Sequence, residues 1–126
     1  MSVLGQQEIL RLFHENLLKF LDNLVKLLPK EQDLIVLRIM FRDQIPLEQA
    51  MEIFCNRILP HKEKIIKRDE SFFIENSDLF EGLAHDKVHY FKNIWLSPTF
   101  DQDDKDAMWS WFKLFLTLAI QYKPYL

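Results

Sequence analysis

The chain has 126 residues, a net charge of −3 and a single cysteine, which corresponds to one domain without an internal disulfide. Hydrophobic residues make up 48% and charged residues 28%, which excludes a disordered tail, and the negative charge gives no general attraction to nucleic acid or anionic lipid. The two glycines disfavour β-turn-rich architectures and phosphate-binding loops. We therefore expect one helical domain over residues 1–126.

Proline residues divide the first half of the chain into three predicted helices. Over residues 8–28, apolar side chains recur every three or four positions in two adjacent rows, which predicts a long helix ended by Pro29. The run KEQDLIVLRIMF predicts a helix at about 31–42. A third helix is predicted to begin at Pro46 and to end at Pro60.

The middle of the chain is predicted to be helical with one break. The sequence HKEKIIKRD continues the helical pattern, either as a separate helix or as one rod kinked at Pro60. ESFFIENS is the least helical stretch, and we expect Phe72 and Phe73 to enter the core from a loop. Ser77 is the predicted N-cap of a fifth helix, Asp78–Trp95, which the SPTF sequence ends.

The aromatic stretch DDKDAMWSWFKLFLTLAIQY, residues 103–122, predicts the sixth helix. Four aspartates around its start are predicted to cap it: Asp101, Asp103, Asp104 and Asp106. At 100° per residue, its polar side chains fall in one narrow stripe: Ser110, Lys113, Thr117 and Gln121. The remaining circumference is apolar, and the run is too short and too interrupted to span a membrane. We therefore predict an all-α compact bundle of five or six helices with this helix at its centre.

Two apolar helix faces are candidates for contact with other chains. One is the apolar face of the first helix, and the other is the aromatic face of the sixth. The candidate interaction residues are Leu10, Phe13, Leu17, Phe20, Trp109, Trp111 and Phe115. These faces predict a non-catalytic structural or interaction protein that assembles with itself or with other proteins. Burial of the same faces within one chain is the alternative.

A metal site is the alternative function that the sequence suggests. Glu81, His85 and His89 follow one another at intervals of four, which places them on one face of the predicted fifth helix. Two histidines at this spacing can chelate zinc. They would make the chain a metal-binding protein or a metal-dependent enzyme, although no second motif completes the site. DQDDKD is not a calcium loop, because Asp106 and Phe112 stand where that loop needs glycine and glutamate.

Other chemistries have less support, and we expect no cofactor. Lys62, Lys64, Lys67 and Arg68 form the main basic cluster, which acidic neighbours dilute, so nucleic-acid binding is a minor alternative. Cys55 stands in an apolar helical context in which a thiol usually packs as a small hydrophobic group. The sequence contains no serine-hydrolase elbow, P-loop or dinucleotide turn. The single cysteine and the absence of a signal-peptide pattern predict an intracellular protein.

The C-terminal half contains LAHDKVHYFKNIW, a break with a proline, and then KDAMWSWFKLFLTLAIQY. This arrangement resembles that of small helical proteins of nucleocytoplasmic large DNA viruses. Trp95, Lys105, Trp109 and Trp111 occupy the matching positions, and RDESFF resembles a charged segment that precedes paired phenylalanines. The resemblance covers about residues 60–122. It implies a virus-encoded product in the host cytoplasm or the virion, with a structural or host-interacting role and no catalytic residues.

Overall fold

A computed structural model describes residues 5–75 and 92–126, and it contains no β-strand within these ranges. The chain divides into two compact units. The first combines the residues up to Asn56 with Thr117–Leu126, and the second comprises the described residues of Arg57–Leu116. The prediction of an all-α fold with an aromatic-rich C-terminal helix is confirmed. The prediction of a single domain over residues 1–126 stays a prediction.

Helix α1 spans Gln6–Leu27, within two residues of its predicted bounds. Its buried apolar residues run from Ile9 to Leu21, with Phe13 almost completely enclosed, whereas Leu27 at its end is exposed. The amide of Leu28 donates to the carbonyl of Leu24 at 2.8 Å, and Pro29 follows because it has no amide hydrogen with which to continue the helix.

The second predicted helix has two parts with different hydrogen bonding. Helix α2 spans Gln32–Ile39, and a π-helical segment, Met40–Gln44, follows it directly. The amide of Ile45 donates to the carbonyl of Met40 at 2.9 Å, five residues back, which is the π-helical spacing. Ile45 itself is extended because the following proline disfavours helical geometry. The helical path thus runs two residues beyond the predicted end.

Helix α3 spans Leu47–Ile58. The sequence left open whether the helices around Pro60 are separate or form one kinked rod. The structure lies between the two, because a 3₁₀ turn, Leu59–His61, joins α3 to α4, which spans Lys62–Ile66. Helix α4 ends with Arg68 in the left-handed region at φ 53°. The amides of Arg68 and Asp69 donate back to the carbonyls of Ile65 and Lys64 at 3.1 and 2.9 Å, the bonds of a Schellman motif.

For residues 70–75 of ESFFIENS, the prediction of a loop is wrong, because helix α5 spans Glu70–Glu75. The carboxylate of Asp69 accepts a 3.0 Å hydrogen bond from the amide of Phe72 and so caps the start of this helix. Phe72 is half-buried, whereas the side chain of Phe73 lies outside the described part. Ser77 and most of the predicted fifth helix also lie outside it, and residues 92–96 are helical and precede the SPTF turn.

Helix α6 spans Gln102–Tyr122 and supplies buried side chains to both units. Its predicted polar stripe is confirmed, since its four members are all exposed: Ser110, Lys113, Thr117 and Gln121. Ile120 is exposed as well, so the solvent-facing side is wider than the polar residues alone predict. The prediction that aspartates cap the start of the helix is confirmed for Asp101 and Asp104, which make capping hydrogen bonds. Asp106 instead forms an ion pair with Arg68 at 3.1 Å.

The first unit has a core built from both ends of the chain. Phe13 of α1 contacts Phe54 of α3 with ring centroids 5.4 Å apart. From the end of α6, Ala119 and Tyr122 are buried, and the Tyr122 hydroxyl accepts a 3.2 Å hydrogen bond from Nε2 of the Gln6 side chain. Each fully buried large apolar side chain stabilises such a core by about 1.5–3 kcal/mol.

The second unit has an aromatic cluster. Trp95 and Trp109 meet edge to face with centroids 5.7 Å apart, and Phe100 lies 5.5 Å from Trp95. All three rings are buried. Lys105 places its ammonium 5.7 Å from the centre of a Trp95 ring, a cation–π contact at the margin of the cluster.

Candidate interaction surface

The predicted interaction residues lie largely in the chain's own core. Five are buried: Leu10, Phe13, Leu17, Trp109 and Phe115. Phe20 and Trp111 are half-buried, and Trp111 stacks on Phe115 with centroids 6.0 Å apart. These side chains therefore contribute to the packing of the chain, the alternative that the sequence left open.

A different apolar surface faces solvent on α2. Four large apolar side chains are exposed there: Ile35 by 45%, Val36 by 54%, Ile39 by 40% and Met40 by 36%. Met40 follows the last residue of the helix directly. At 100° per residue the four side chains fall within an arc of about 140° and extend over two turns. We call these four residues the α2 face.

The opposite side of the same segment packs against α1. Leu34 is buried, and Leu37 and Phe41 are half-buried. His14 of α1 fixes the π-helical segment, because its Nε2 lies 3.2 Å from the carbonyl oxygen of Phe41. The segment is therefore apolar on both sides, and in the described part of the chain only one side is covered.

Two arginine–aspartate ion pairs flank the α2 face. The guanidinium of Arg38 binds both carboxylate oxygens of Asp22 on α1. Arg42 donates to Asp43 at 2.8 Å, and this hydrogen bond raises the pKa of Arg42 and lowers that of Asp43. Each arginine beside the face therefore has a carboxylate partner in the same chain, and the pairs add no net charge.

The sequence could have revealed this surface by the distribution of apolar residues around α2. The segment DLIVLRIMF has apolar residues in nearly every direction, whereas a helix that buries one side has a polar opposite side. The longer apolar rows of α1 and α6 are the stronger signal in the sequence, and they indicate other faces.

The alternative sites have different outcomes. Glu81, His85 and His89 lie outside the described residues, and residues 5–75 and 92–126 hold no group of three potential metal ligands. Cys55 is fully buried, and its thiol points to the carbonyl of Ala119 at 3.9 Å. Burial raises the pKa of this thiol to about 11, so at neutral pH it is protonated and a poor nucleophile.

None of the helices in the described ranges combines the length and the apolar character needed to cross a lipid bilayer. Comparison with known proteins gave no family model, no curated protein and no solved structure that matches this chain.

Proposed function

We propose that this chain is a non-catalytic assembly protein that pairs with a second copy of itself through the α2 face. The observation that carries the proposal is the exposure of four large apolar side chains on a helix whose other side is already packed. Helices that are apolar all round are normally covered on both sides. A contiguous apolar strip that remains exposed is typical of an interaction site.

The charges around the strip favour a second copy as the partner. In a two-fold symmetric dimer, the same patch meets itself, so a net charge on the patch would repel its copy. Here Arg38 is neutralised by Asp22, and Arg42 by Asp43. The patch therefore brings no uncompensated arginine into such a contact, whereas a partner of opposite charge would find little to attract it.

The resemblance to helical proteins of large DNA viruses supports a structural role, because it brings no catalytic residues with it. The free, buried Cys55 suits a reducing compartment of the cell. A strip of two helical turns predicts a weak dimer, with a Kd on the order of micromolar.

Sedimentation velocity over a concentration series tests the proposal. We expect a monomer–dimer equilibrium in the unmodified chain and a monomer for the double variant Val36→Gln, Ile39→Gln. Both positions are exposed, so the substitutions should leave the core intact. The matched control is Ile66→Gln, which removes a more exposed side chain from α4 and should leave the dimer unchanged.

Two results would contradict the proposal. One is a chain that stays monomeric up to about 300 μM, far above a micromolar Kd. The other is a dimer that persists in the α2 variant, and its dissociation in the Ile66→Gln control would place the interface on the second unit.

A further inference from the structure

We propose that Met40 is a site of reversible oxidation by peroxides, and that the sulfoxide formed there weakens self-association through the α2 face. This proposal rests on the function proposed above, because Met40 is one of the four residues of that face. Met40 is exposed by 36%, so a peroxide dissolved in the surrounding water has access to its side chain in the isolated chain.

The other sulfur-containing side chains in the described part of the chain are better protected. Met51 and Cys55 of α3 are completely buried, and burial raises the pKa of the Cys55 thiol to about 11, which keeps it in the poorly nucleophilic protonated form at neutral pH. Met108 of α6 is half-buried and packs against the aromatic cluster of the second unit. Among the residues described, Met40 is therefore the one whose sulfur an oxidant in solution reaches most easily.

The reaction is the transfer of one oxygen atom to the thioether of Met40. A lone pair of the sulfur attacks one oxygen of hydrogen peroxide and the O–O bond breaks. The second oxygen takes the proton of the first and leaves as water, so the sulfur loses the two electrons that the peroxide gains. The product is methionine sulfoxide, which methionine sulfoxide reductases convert back to the thioether.

Oxidation adds a strong hydrogen-bond acceptor to an apolar surface. Ile35, Val36 and Ile39 are hydrocarbon side chains without a hydrogen-bond donor, and the arginines beside them already donate to carboxylates of the same chain. In a two-fold dimer the face meets its own copy, so each dimer would bury two sulfoxide oxygens against apolar groups. Burial of a polar group without a hydrogen-bond partner is costly, and the sulfoxide therefore favours the monomer.

Association and oxidation oppose each other at Met40. In the proposed dimer this side chain lies in the interface, so peroxide acts on the monomer, which a micromolar Kd maintains in solution. By mass action, a protein concentration about 50-fold above the Kd leaves about a tenth of the chains monomeric, and Met40 should then be oxidised about tenfold more slowly than in dilute solution.

Brief treatment of the full chain with hydrogen peroxide tests the proposal. Peptide mass spectrometry should find the added oxygen atom at Met40 before it appears at Met51 or Met108. Met1 lies outside the described residues and is read from its own peptide. Sedimentation velocity of the oxidised chain should show a Kd raised by at least about tenfold, and a methionine sulfoxide reductase should restore the original value.

Two leucine variants separate Met40 from the other methionines. Met40→Leu should still associate but should lose the response to peroxide, because leucine has a similar volume and no sulfur. Met108→Leu is the matched control, since it removes a half-buried methionine of the second unit and retains Met40. Its dimer should still dissociate after peroxide treatment. Near-ultraviolet circular dichroism of both variants and of the oxidised chain checks that the fold is unchanged.

Four results would overturn the proposal. They are oxidation of Met51 or Met108 as fast as that of Met40, a Kd that is unchanged when Met40 carries the sulfoxide, the same response to peroxide in Met40→Leu, and a rate of Met40 oxidation that does not fall as the protein concentration rises. A chain that is monomeric before treatment would instead contradict the proposed function, and this proposal with it. The untreated sample therefore distinguishes the two failures.

Discussion

Asp101 and Asp104 cap the start of α6 reciprocally. The amide of Asp104 donates to Oδ1 of Asp101 at 2.9 Å, and the amide of Asp101 donates to Oδ2 of Asp104 at 3.2 Å. This is a capping box in which aspartates take the places of the usual serine or threonine and glutamate. Both carboxylates also lie near the positive end of the helix dipole.

Replacing Asp101 by alanine should lower the free energy of unfolding by about 1 kcal/mol, because an otherwise unpartnered amide of the first turn loses its acceptor. Urea denaturation measures this change. Asp103→Ala is the control, since Asp103 is exposed in the same turn, and it should change stability by less than about 0.5 kcal/mol. Equal losses in the two variants would contradict the capping role of Asp101.

Arg68→Gly should stabilise the protein when it is made in an Asp106→Asn background, which removes the ion pair between the two residues. A left-handed conformation costs a non-glycine residue about 1–2 kcal/mol, and replacement by glycine removes this cost. The greater conformational freedom of glycine in the unfolded chain offsets about 0.5–1 kcal/mol of the stability gained. The expected net gain is about 0.5–1 kcal/mol by thermal or urea unfolding.

The control for this prediction is Lys67→Gly in the same background. Lys67 has helical geometry at φ −79°, so glycine there should destabilise the chain by about 0.5–1 kcal/mol. If both glycine variants were destabilised alike, relief of the left-handed conformation at Arg68 would contribute nothing.

Cys55 should make stability fall in alkaline solution. Burial raises its thiol pKa from 9.0 to about 11, so the unfolded chain releases the proton first. The contribution of the neutral thiol is therefore present below pH 9 and is lost as the pH rises to about 11. The loss is on the order of 2 kcal/mol. Unfolding by urea at several pH values should show this slope, and Cys55→Ala, although less stable, should lack it.

Trp109 and Trp111 should respond differently to truncation, although they are two positions apart. Trp109 is buried and meets the rings of Trp95 and Phe112 edge to face, so its replacement by alanine should cost about 3–5 kcal/mol. Trp111 is half-buried, and its replacement should cost about 1–2 kcal/mol. The reverse order, measured by denaturant unfolding, would contradict the orientation of α6.

The metal alternative is tested by elemental analysis of the purified chain. Because we propose a function without metal, we expect less than stoichiometric zinc and no change in melting temperature when a chelator is added. If metal is bound, and if the double variant His85→Ala, His89→Ala loses it, then the alternative built on Glu81, His85 and His89 replaces our proposal.

The sequence was a good guide where proline or periodicity controls the backbone. Pro29 and Pro46 mark the ends of helical segments because proline cannot supply the amide that a helix needs. The polar stripe of α6 was predictable because its spacing follows the helical repeat. Such features depend on residues near one another in the chain, and local reasoning is sufficient for them.

The sequence was a poor guide where tertiary packing determines which side chains are buried, or where a single N-cap residue determines where a helix begins. The start of α5 depends on Asp69 as an N-cap, a signal that the paired phenylalanines obscured. The location of an exposed apolar surface depends on which apolar helix faces are buried within the same chain. Leu10 and Phe13 have partners in the first unit, while Val36 and Ile39 face solvent. The apolar residues around α2 indicate that two of its sides need cover, but they do not indicate which side the chain leaves exposed.

The bond between Gln6 and Tyr122 joins positions 116 apart, and this separation has a consequence during synthesis. Helix α1 leaves the ribosome long before the end of α6 is translated, so it can pack first against α2 and α3, while its contact with Tyr122 forms last. The first unit can close only after residue 122 has passed the exit tunnel. Until then, the part of the apolar core that α6 covers is transiently exposed hydrophobic surface, the kind of surface on which chaperones act.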